Sequence, residues 1–233
     1  MSRQRKLYLE NVNEAHEKGR ISDEVLKSFY EKLPNLERAV TAVEDASGLS
    51  YPLIVFDPSL TLIKYPSSTF SGTVIYASTQ IRKLNGAYQL CVEISLPFLL
   101  YVKESTLKAC VAHEFLHYVF TTIALSNKAF TVLSGERLDA PEVHVAFDDT
   151  HIVAPEEWLN NKDLVDLIKA TFNPVIADKE LEAEIKSNWI DKSLPIRQMS
   201  GEESKASIPI LEVPKIPLDG NIIQRSKVTS SPQ

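Results

Sequence analysis

Three residues near the middle of the chain, His113, Glu114 and His117, have the types and the spacing for metal-dependent chemistry. They belong to the pentapeptide HEFLH, in which the two histidines are four positions apart. On a helix, side chains at positions i and i+4 lie one above the other, so both imidazoles can reach one metal ion. Glu114 stands beside that pair and can take a proton from a metal-bound water. The pattern therefore predicts a zinc site with a general base.

The residues around this pentapeptide predict the helix that the site needs. Residues 107–125 read LKACVAHEFLHYVFTTIAL and contain neither proline nor glycine, and Ser105 and Thr106 before them can cap the first turn. Burying two histidines and a carboxylate without partners is unfavourable by several kcal/mol, so an ordinary core helix has no reason to carry them. Cys110 lies one turn before His113, and we expect it to be a small core residue.

The composition is typical of a globular chain without a membrane segment. Of the 233 residues, 44% are hydrophobic and 24% are charged, and the formal net charge is −6. No basic run of the kind that binds phosphates occurs, so nucleic acid is not an expected partner. The N-terminal residues lack an apolar signal core, and the longest apolar run, 96–102, is too short to span a membrane. We therefore expect a cytoplasmic protein, and two cysteines predict no disulfide framework.

Patterning along the chain predicts an α+β fold. Helices are expected at 3–19 and 22–46, with Ser22 as the N-cap, Pro34 dividing the second helix and Gly48 ending it. Short β-rich runs separated by turn residues follow at 52–56, 60–65, 73–77 and 88–96. In the last run, apolar residues alternate with Glu93 and Ser95, as in a strand with one solvent-facing side. Further helices are predicted at 107–125, 155–172 and 178–192.

This order of elements predicts three parts. A helical segment, 1–48, precedes the domain that carries the site, 49–195. From 196 to 233 the sequence becomes rich in Ser, Pro, Lys and Glu, and we expect a tail outside the packed core, flexible or docked on the domain. Within it, residues 208–218 read IPILEVPKIPL, in which the prolines favour an extended chain.

The third metal ligand has to come from outside the pentapeptide, because catalytic zinc usually has three protein ligands and one open position. Phe120 and Ile123 stand where a metzincin has glycine and histidine, so that scheme is excluded. Glu136, which follows His117 with 18 residues between them, is one candidate. Other carboxylates remain open as alternatives: Asp139, Glu142, Glu156, Glu157, Glu180, Glu182 and Glu184.

The HExxH motif, the gap of 18 residues and Glu136 together resemble the gluzincin metallopeptidases, in the spacing of their aminopeptidase-N branch. The Gly-Ala-Met-Glu-Asn exopeptidase motif of that branch is missing, and Ala140 stands where thermolysin-like enzymes have aspartate. The chain is more similar to minimal single-domain prokaryotic gluzincins, over about residues 50–195. The resemblance implies a zincin-like fold, with a small mixed sheet packed on the active-site helix. It also implies one zinc ion per chain, held by His113, His117 and Glu136.

The activity that this resemblance implies is hydrolysis of peptide bonds, in peptides or unfolded proteins, by an endopeptidase. Glu114 would accept a proton from a zinc-bound water and pass it to the departing amine. A second group would stabilise the oxyanion, and we prefer His151 over His144, Arg137 and Tyr101.

The resemblance has two further implications, and one alternative remains beside it. The strand at 88–96 would bind substrate along its free edge. The segment 208–218 could lie in the cleft and keep the enzyme latent, which would be intramolecular inhibition by the C-terminal tail. The alternative is a non-proteolytic zinc-binding domain, a pseudo-peptidase or a binding module. Glu114 favours the peptidase, because a structural metal site needs no base.

Overall fold

The structure is a computed structural model, and it describes residues 7–64, 72–127, 142–145, 152–172, 176, 178–200 and 206–229. In this part of the chain helices and strands are mixed, as the sequence predicts for an α+β protein. The strands are β1 (Leu7–Tyr8), β2 (Leu53–Asp57), β3 (Leu60–Lys64), β4 (Gly72–Ile75), β5 (Ala77–Leu84), β6 (Ala87–Ser95), β7 (Glu142–Val145), β8 (Ile196–Ser200) and β9 (Ala206–Pro209). The helices are α1 (Glu10–Glu17), α2 (Asp23–Ser47), α3 (Leu96–Tyr101), α4 (Glu104–Ser126), α5 (Pro155–Trp158), α6 (Lys162–Thr171), α7 (Lys179–Ile185) and α8 (Gly220–Thr229). None of these helices is long and apolar enough to cross a membrane.

The central sheet has the strand order β1-β2-β6-β5. Strand β2 pairs in parallel with both β1 and β6, whereas β5 pairs antiparallel with β6. The turn that joins β5 to β6 has positive φ angles at Asn85 and Gly86, 49° and 84°, as a tight hairpin requires. Two smaller sheets, β4-β3-β8 and β7-β9, complete the described strands.

The strand that was predicted to bind substrate is therefore not at the edge of the sheet. Strand β6 has β2 on one side and β5 on the other, so the prediction of a free edge at 88–96 is wrong. The sequence pattern missed β5, because its residues, ASTQIRKL, are mostly polar and carry no clear alternation. Within the described residues, β5 is the strand that ends the central sheet next to helix α4.

One face of the central sheet packs on helices α2 and α4. The buried side chains of Ile54, Phe56, Val92 and Ile94 alternate along β2 and β6 and belong to the main apolar core. Helix α4 is buried on most of its surface, and Phe115 and Leu116 are fully buried beside the two histidines. The site helix is thus fixed by packing on several sides.

Helix α2 runs without interruption through Pro34, so the predicted division at this proline is wrong. A proline inside a helix is unfavourable by about 3 kcal/mol. Buried side chains on both sides of it, Phe29 before and Leu36 after, hold the two halves on the same core, which outweighs that penalty. The predicted ends are confirmed: the Ser22 hydroxyl accepts from the amide of Val25 at 3.3 Å, and Gly48 has φ 70°.

The predicted helix at 155–172 is divided into α5 and α6. The side chain of Asn161 caps α6 by accepting from the amide of Leu164 at 3.0 Å, which gives the second helix its own start. The next predicted helix, 178–192, is observed as α7, capped by Asp178, and it continues as a π-helical turn over Lys186–Ile190.

The C-terminal segment is part of the core, so the expectation of a tail outside it is wrong for the described residues. Strand β8 pairs in parallel with β3, β9 pairs antiparallel with β7, and α8 packs against α4. Four apolar side chains of this segment are at most 4% exposed: Ile208, Val213, Ile216 and Ile222. The Arg225 guanidinium donates to the backbone oxygens of Ser47 and Glu157, at 2.9 and 2.6 Å.

Candidate metal centre

The HEFLH pentapeptide lies in the middle of helix α4, as predicted. The side chains of His113 and Glu114 are buried, with 5% and 6% exposure, and His117 is half-buried. The four-residue spacing brings both imidazoles to the same face of the helix, where their ring centroids are 4.7 Å apart. The predicted geometry of this pair is confirmed.

The two Nε2 atoms, of His113 and His117, are 3.0 Å apart. Zinc–nitrogen bonds are about 2.0–2.1 Å long. For one ion equidistant from both atoms, the N–Zn–N angle would therefore be roughly 90–100°. This is near the tetrahedral angle, and a small displacement of either ring would reach it. The histidine pair therefore fits a shared zinc ion.

His113 is neutral at neutral pH, which is the form that binds a metal. Burial, together with the neighbouring His117, lowers the pKa of His113 to about 3. Among the described residues its Nδ1 atom is buried and has no hydrogen-bond partner. In most metal sites that nitrogen donates to an acceptor which fixes the ring.

An aromatic ring fixes His113 instead. Phe172, at the C-terminal end of α6, stacks on the imidazole with ring centroids 3.9 Å apart and an angle of 9° between the planes. The flat contact restricts rotation of the His113 ring and excludes water from one side of it. Phe172 is not among the predicted site residues, because a phenylalanine that ends an amphipathic helix carries no signal for a metal site.

Glu114 is held by the edge strand of the central sheet. The hydroxyl of Thr79, on β5, lies 2.8 Å from the backbone oxygen of Glu114 and 3.0 Å from its carboxylate atom Oε2. The potential ligand atoms of His113, Glu114 and His117 all lie within 4.8 Å of one another. The carboxylate thus stands beside the position that a metal would occupy, oriented by a donor from another element.

The expected third ligand, Glu136, and the expected oxyanion residue, His151, lie outside the described residues, as do Arg137 and Asp139. Glu142 and His144 are in β7, but their side chains are not described. Among the described alternatives for a third ligand, none joins the histidine cluster: Glu156, Glu157, Glu180, Glu182 and Glu184.

Some of these alternatives have other partners. Glu156 forms an ion pair with Lys169, and Glu180 forms one with Lys103. Tyr101, an alternative for the oxyanion group, donates to the backbone oxygen of Asn188 at 3.3 Å.

Cys110 is 3% exposed, and burial raises the pKa of its thiol, which agrees with the predicted core role.

Comparison of the chain with models of protein families, with curated proteins and with solved structures finds no match. The interpretation of the site therefore depends on its own residues and their geometry.

Proposed function

We propose that this chain is a zinc-dependent peptidase with a zincin-like arrangement of the central sheet and helix α4. One observation carries the proposal: the Nε2 atoms of His113 and His117 converge to 3.0 Å, with the carboxylate of Glu114 beside them. A structural zinc site has no use for a buried carboxylate that is adjacent to the ligands and is oriented by a separate donor. Two buried free cysteines agree with a reducing, cytoplasmic location.

In the proposed site, His113 and His117 hold one zinc ion and Glu136 is the third ligand. When bound, zinc lowers the pKa of a water molecule to about 7 and acts as a Lewis acid. Glu114 accepts the proton of the attacking water on its carboxylate and donates it to the nitrogen of the departing amine. Thr79 keeps that carboxylate in place, and Phe172 keeps the His113 ring in place. His151 remains our proposal for the group that stabilises the oxyanion.

The expected substrate is an extended peptide, or an unfolded protein, bound along β5. Among the described strands β5 pairs on one side only, with β6, so its other side can accept a further strand. Thr79 belongs to β5 and contacts Glu114, so a peptide along this edge would pass close to the general base. This edge replaces the strand at 88–96, which is covered on both sides.

Strand β9 lies beside β5, which supports the proposal that the C-terminal segment restricts access to this edge. Removing the segment does not test this, because its side chains belong to the core. The test uses a chain whose backbone is cleaved at one site between β8 and β9, with the two fragments left associated. The cut chain should cleave a quenched peptide faster than the intact chain if the segment is inhibitory, and equal rates from folded, zinc-loaded samples would contradict inhibition.

The proposed activity is tested with Glu114→Gln, which keeps the size of the side chain but cannot accept a proton. We expect it to retain zinc and to cleave casein or a quenched peptide about 10²–10⁴-fold more slowly than wild type. Glu104→Gln, on the exposed first turn of the same helix, is the matched control and should cleave at the wild-type rate. A zinc-loaded wild type that cleaves nothing would favour the non-proteolytic zinc-binding domain.

A further inference from the structure

A second polar site lies on the side of the central sheet that faces away from helix α4. Along β5 and β6, Thr79 and Val92 face the core that contains α4, so Arg82 and Glu93 face the opposite side. A cavity of about 220 Å³ opens there. Its lining includes two cationic side chains, Arg82 and Arg197, and two anionic ones, Asp57 and Glu93, so the formal charges balance.

The two acidic side chains of this cavity, Asp57 and Glu93, are buried, at 8% and 7% exposure. This contradicts the expectation that Glu93 is on a solvent-facing side of its strand. Arg82 donates to both Glu93 oxygens, each at 2.6 Å, and Gln80 donates to Oε1 at 2.8 Å.

The second carboxylate is equally well satisfied. Arg197, on β8, donates to Asp57 Oδ2 at 2.9 Å, and Thr61 donates to the same atom at 3.0 Å. The backbone amide of Ser59 donates to the other oxygen at 2.9 Å. All four carboxylate oxygens of the pair Asp57 and Glu93 therefore have donors already.

The two guanidinium groups, in contrast, have hydrogen-bond acceptors for only some of their nitrogens. Each arginine donates to a carboxylate through Nη2, and within the described residues neither Nη1 atom has an acceptor. The Nε atom of Arg82 is buried and also finds no acceptor there. The side chains of Arg82 and Arg197 are 34% and 38% exposed, so the cavity remains accessible from solvent. It presents unused donors and saturated acceptors.

We propose that this cavity binds a small organic anion of the carboxylate class, held by Arg82 and Arg197. The Nη2 atoms of Arg82 and Arg197 lie 2.6 and 3.7 Å from the same atom, Glu93 Oε1, so the two guanidinium groups are neighbours in this cavity. A carboxylate supplies the acceptors that the unused guanidinium donors lack, and its planar oxygen pair matches guanidinium geometry. The volume admits a molecule smaller than a typical drug-sized ligand. The site is independent of the proposed zinc centre, because the sheet separates them.

The test uses the intact wild-type chain and acetate as the probe. Arginines are modified with phenylglyoxal in acetate, in phosphate and in chloride at equal ionic strength, and the modified peptides are quantified by mass spectrometry. Acetate at roughly ten times its Kd should slow modification of Arg82 and Arg197 by about tenfold. Arg38, which forms a surface ion pair with Glu104, is the internal control and should react equally in every salt.

Variants with conserved charge test the assignment further. Arg197→Lys keeps a cation beside Asp57 but removes Nη1, and it should abolish most of the acetate protection of Arg82. Arg38→Lys should leave that protection unchanged. The proposal is overturned if chloride protects Arg82 and Arg197 from modification as well as acetate does. It is also overturned if phosphate protects them and acetate does not. The wild-type measurement decides the matter even if Arg197→Lys does not fold.

Discussion

The hydroxyl of Thr79 lies 2.8 Å from the backbone oxygen and 3.0 Å from the carboxylate of Glu114, and so ties the edge strand β5 to the centre of helix α4. The contact joins the strand proposed to bind substrate to the residue proposed to move the proton. Thr79 is thus a positioning residue for the general base.

Thr79→Val retains the shape of the side chain and removes the single hydroxyl proton that the two Glu114 oxygens share. We expect kcat for peptide cleavage to fall about tenfold to a hundredfold, as for other residues that orient a metal site, while zinc content stays at the wild-type level. Thr41→Val is the matched control, since Thr41 bonds the backbone of its own helix α2 on the exposed side. An unchanged kcat in Thr79→Val would show that the contact only stabilises the fold.

Phe172 is expected to set zinc affinity through its stacking on His113. Phe172→Leu keeps an apolar side chain but removes the flat contact, so the imidazole gains rotational freedom. The zinc Kd, measured by competition with a chelator, should rise about tenfold to a hundredfold. Phe172→Tyr keeps the ring and should bind zinc like wild type, and equal Kd values for all three proteins would contradict the role.

The metal-free protein should lose stability as the pH falls below the ordinary pKa of histidine. The pKa of His113 is lowered from 6.5 to about 3 in the folded chain, so the unfolded chain binds a proton in this range and the folded chain does not. The free energy of unfolding is unaffected by this group above pH 6.5. It should fall by about 1.4 kcal/mol per pH unit between that pH and about 3.

Urea denaturation of chelator-treated protein at several pH values measures this dependence. His113→Phe retains a buried ring that cannot titrate, and carboxylates contribute alike to both proteins. The wild-type curve should therefore be steeper than that of the variant in this range. Parallel curves would show that His113 is not buried in its neutral form.

Truncation after Pro195 should unfold the protein rather than release an active domain. It removes Ile208, Val213, Ile216 and Ile222, each at most 4% exposed. Burial of each is worth about 1.5–3 kcal/mol, so their sum is comparable to the whole stability of a typical domain, about 5–15 kcal/mol. Circular dichroism and urea titration check this. A truncated chain with wild-type stability would show that the segment is a detachable addition.

The local features of the site were predictable from sequence, because they depend on helix geometry alone. The four-residue spacing of His113 and His117 places them on one face of any α-helix. Ser22 and Gly48 cap the two ends of α2 through contacts within a few residues. Such features can be predicted because they depend only on residues that are close together in the sequence.

The contacts that complete the site were not predictable, because they join distant parts of the chain. Thr79 and Glu114 are 35 positions apart and meet only because β5, which the pattern missed, ends the sheet beside α4. The alternation of polar and apolar residues predicted a solvent-facing side chain for Glu93, because it shows only which residues are polar. It does not show that Arg82 and Arg197, from distant parts of the chain, cover that face of the strand. The predicted residues Glu136 and His151 lie outside the described residues and remain predictions.

The zinc content of the purified protein is the decisive measurement for the proposed metal site. Protein prepared without added zinc, or reconstituted with it and freed of excess, is measured by elemental analysis beside His117→Ala and His16→Ala. His16 is a surface histidine paired with Asp23, so its removal controls for adventitious binding. We predict one zinc ion per chain in wild type and in His16→Ala, and a loss of most of it in His117→Ala. The proposed zinc site is wrong if the reconstituted wild type holds negligible zinc, or if wild type and His117→Ala hold equal amounts.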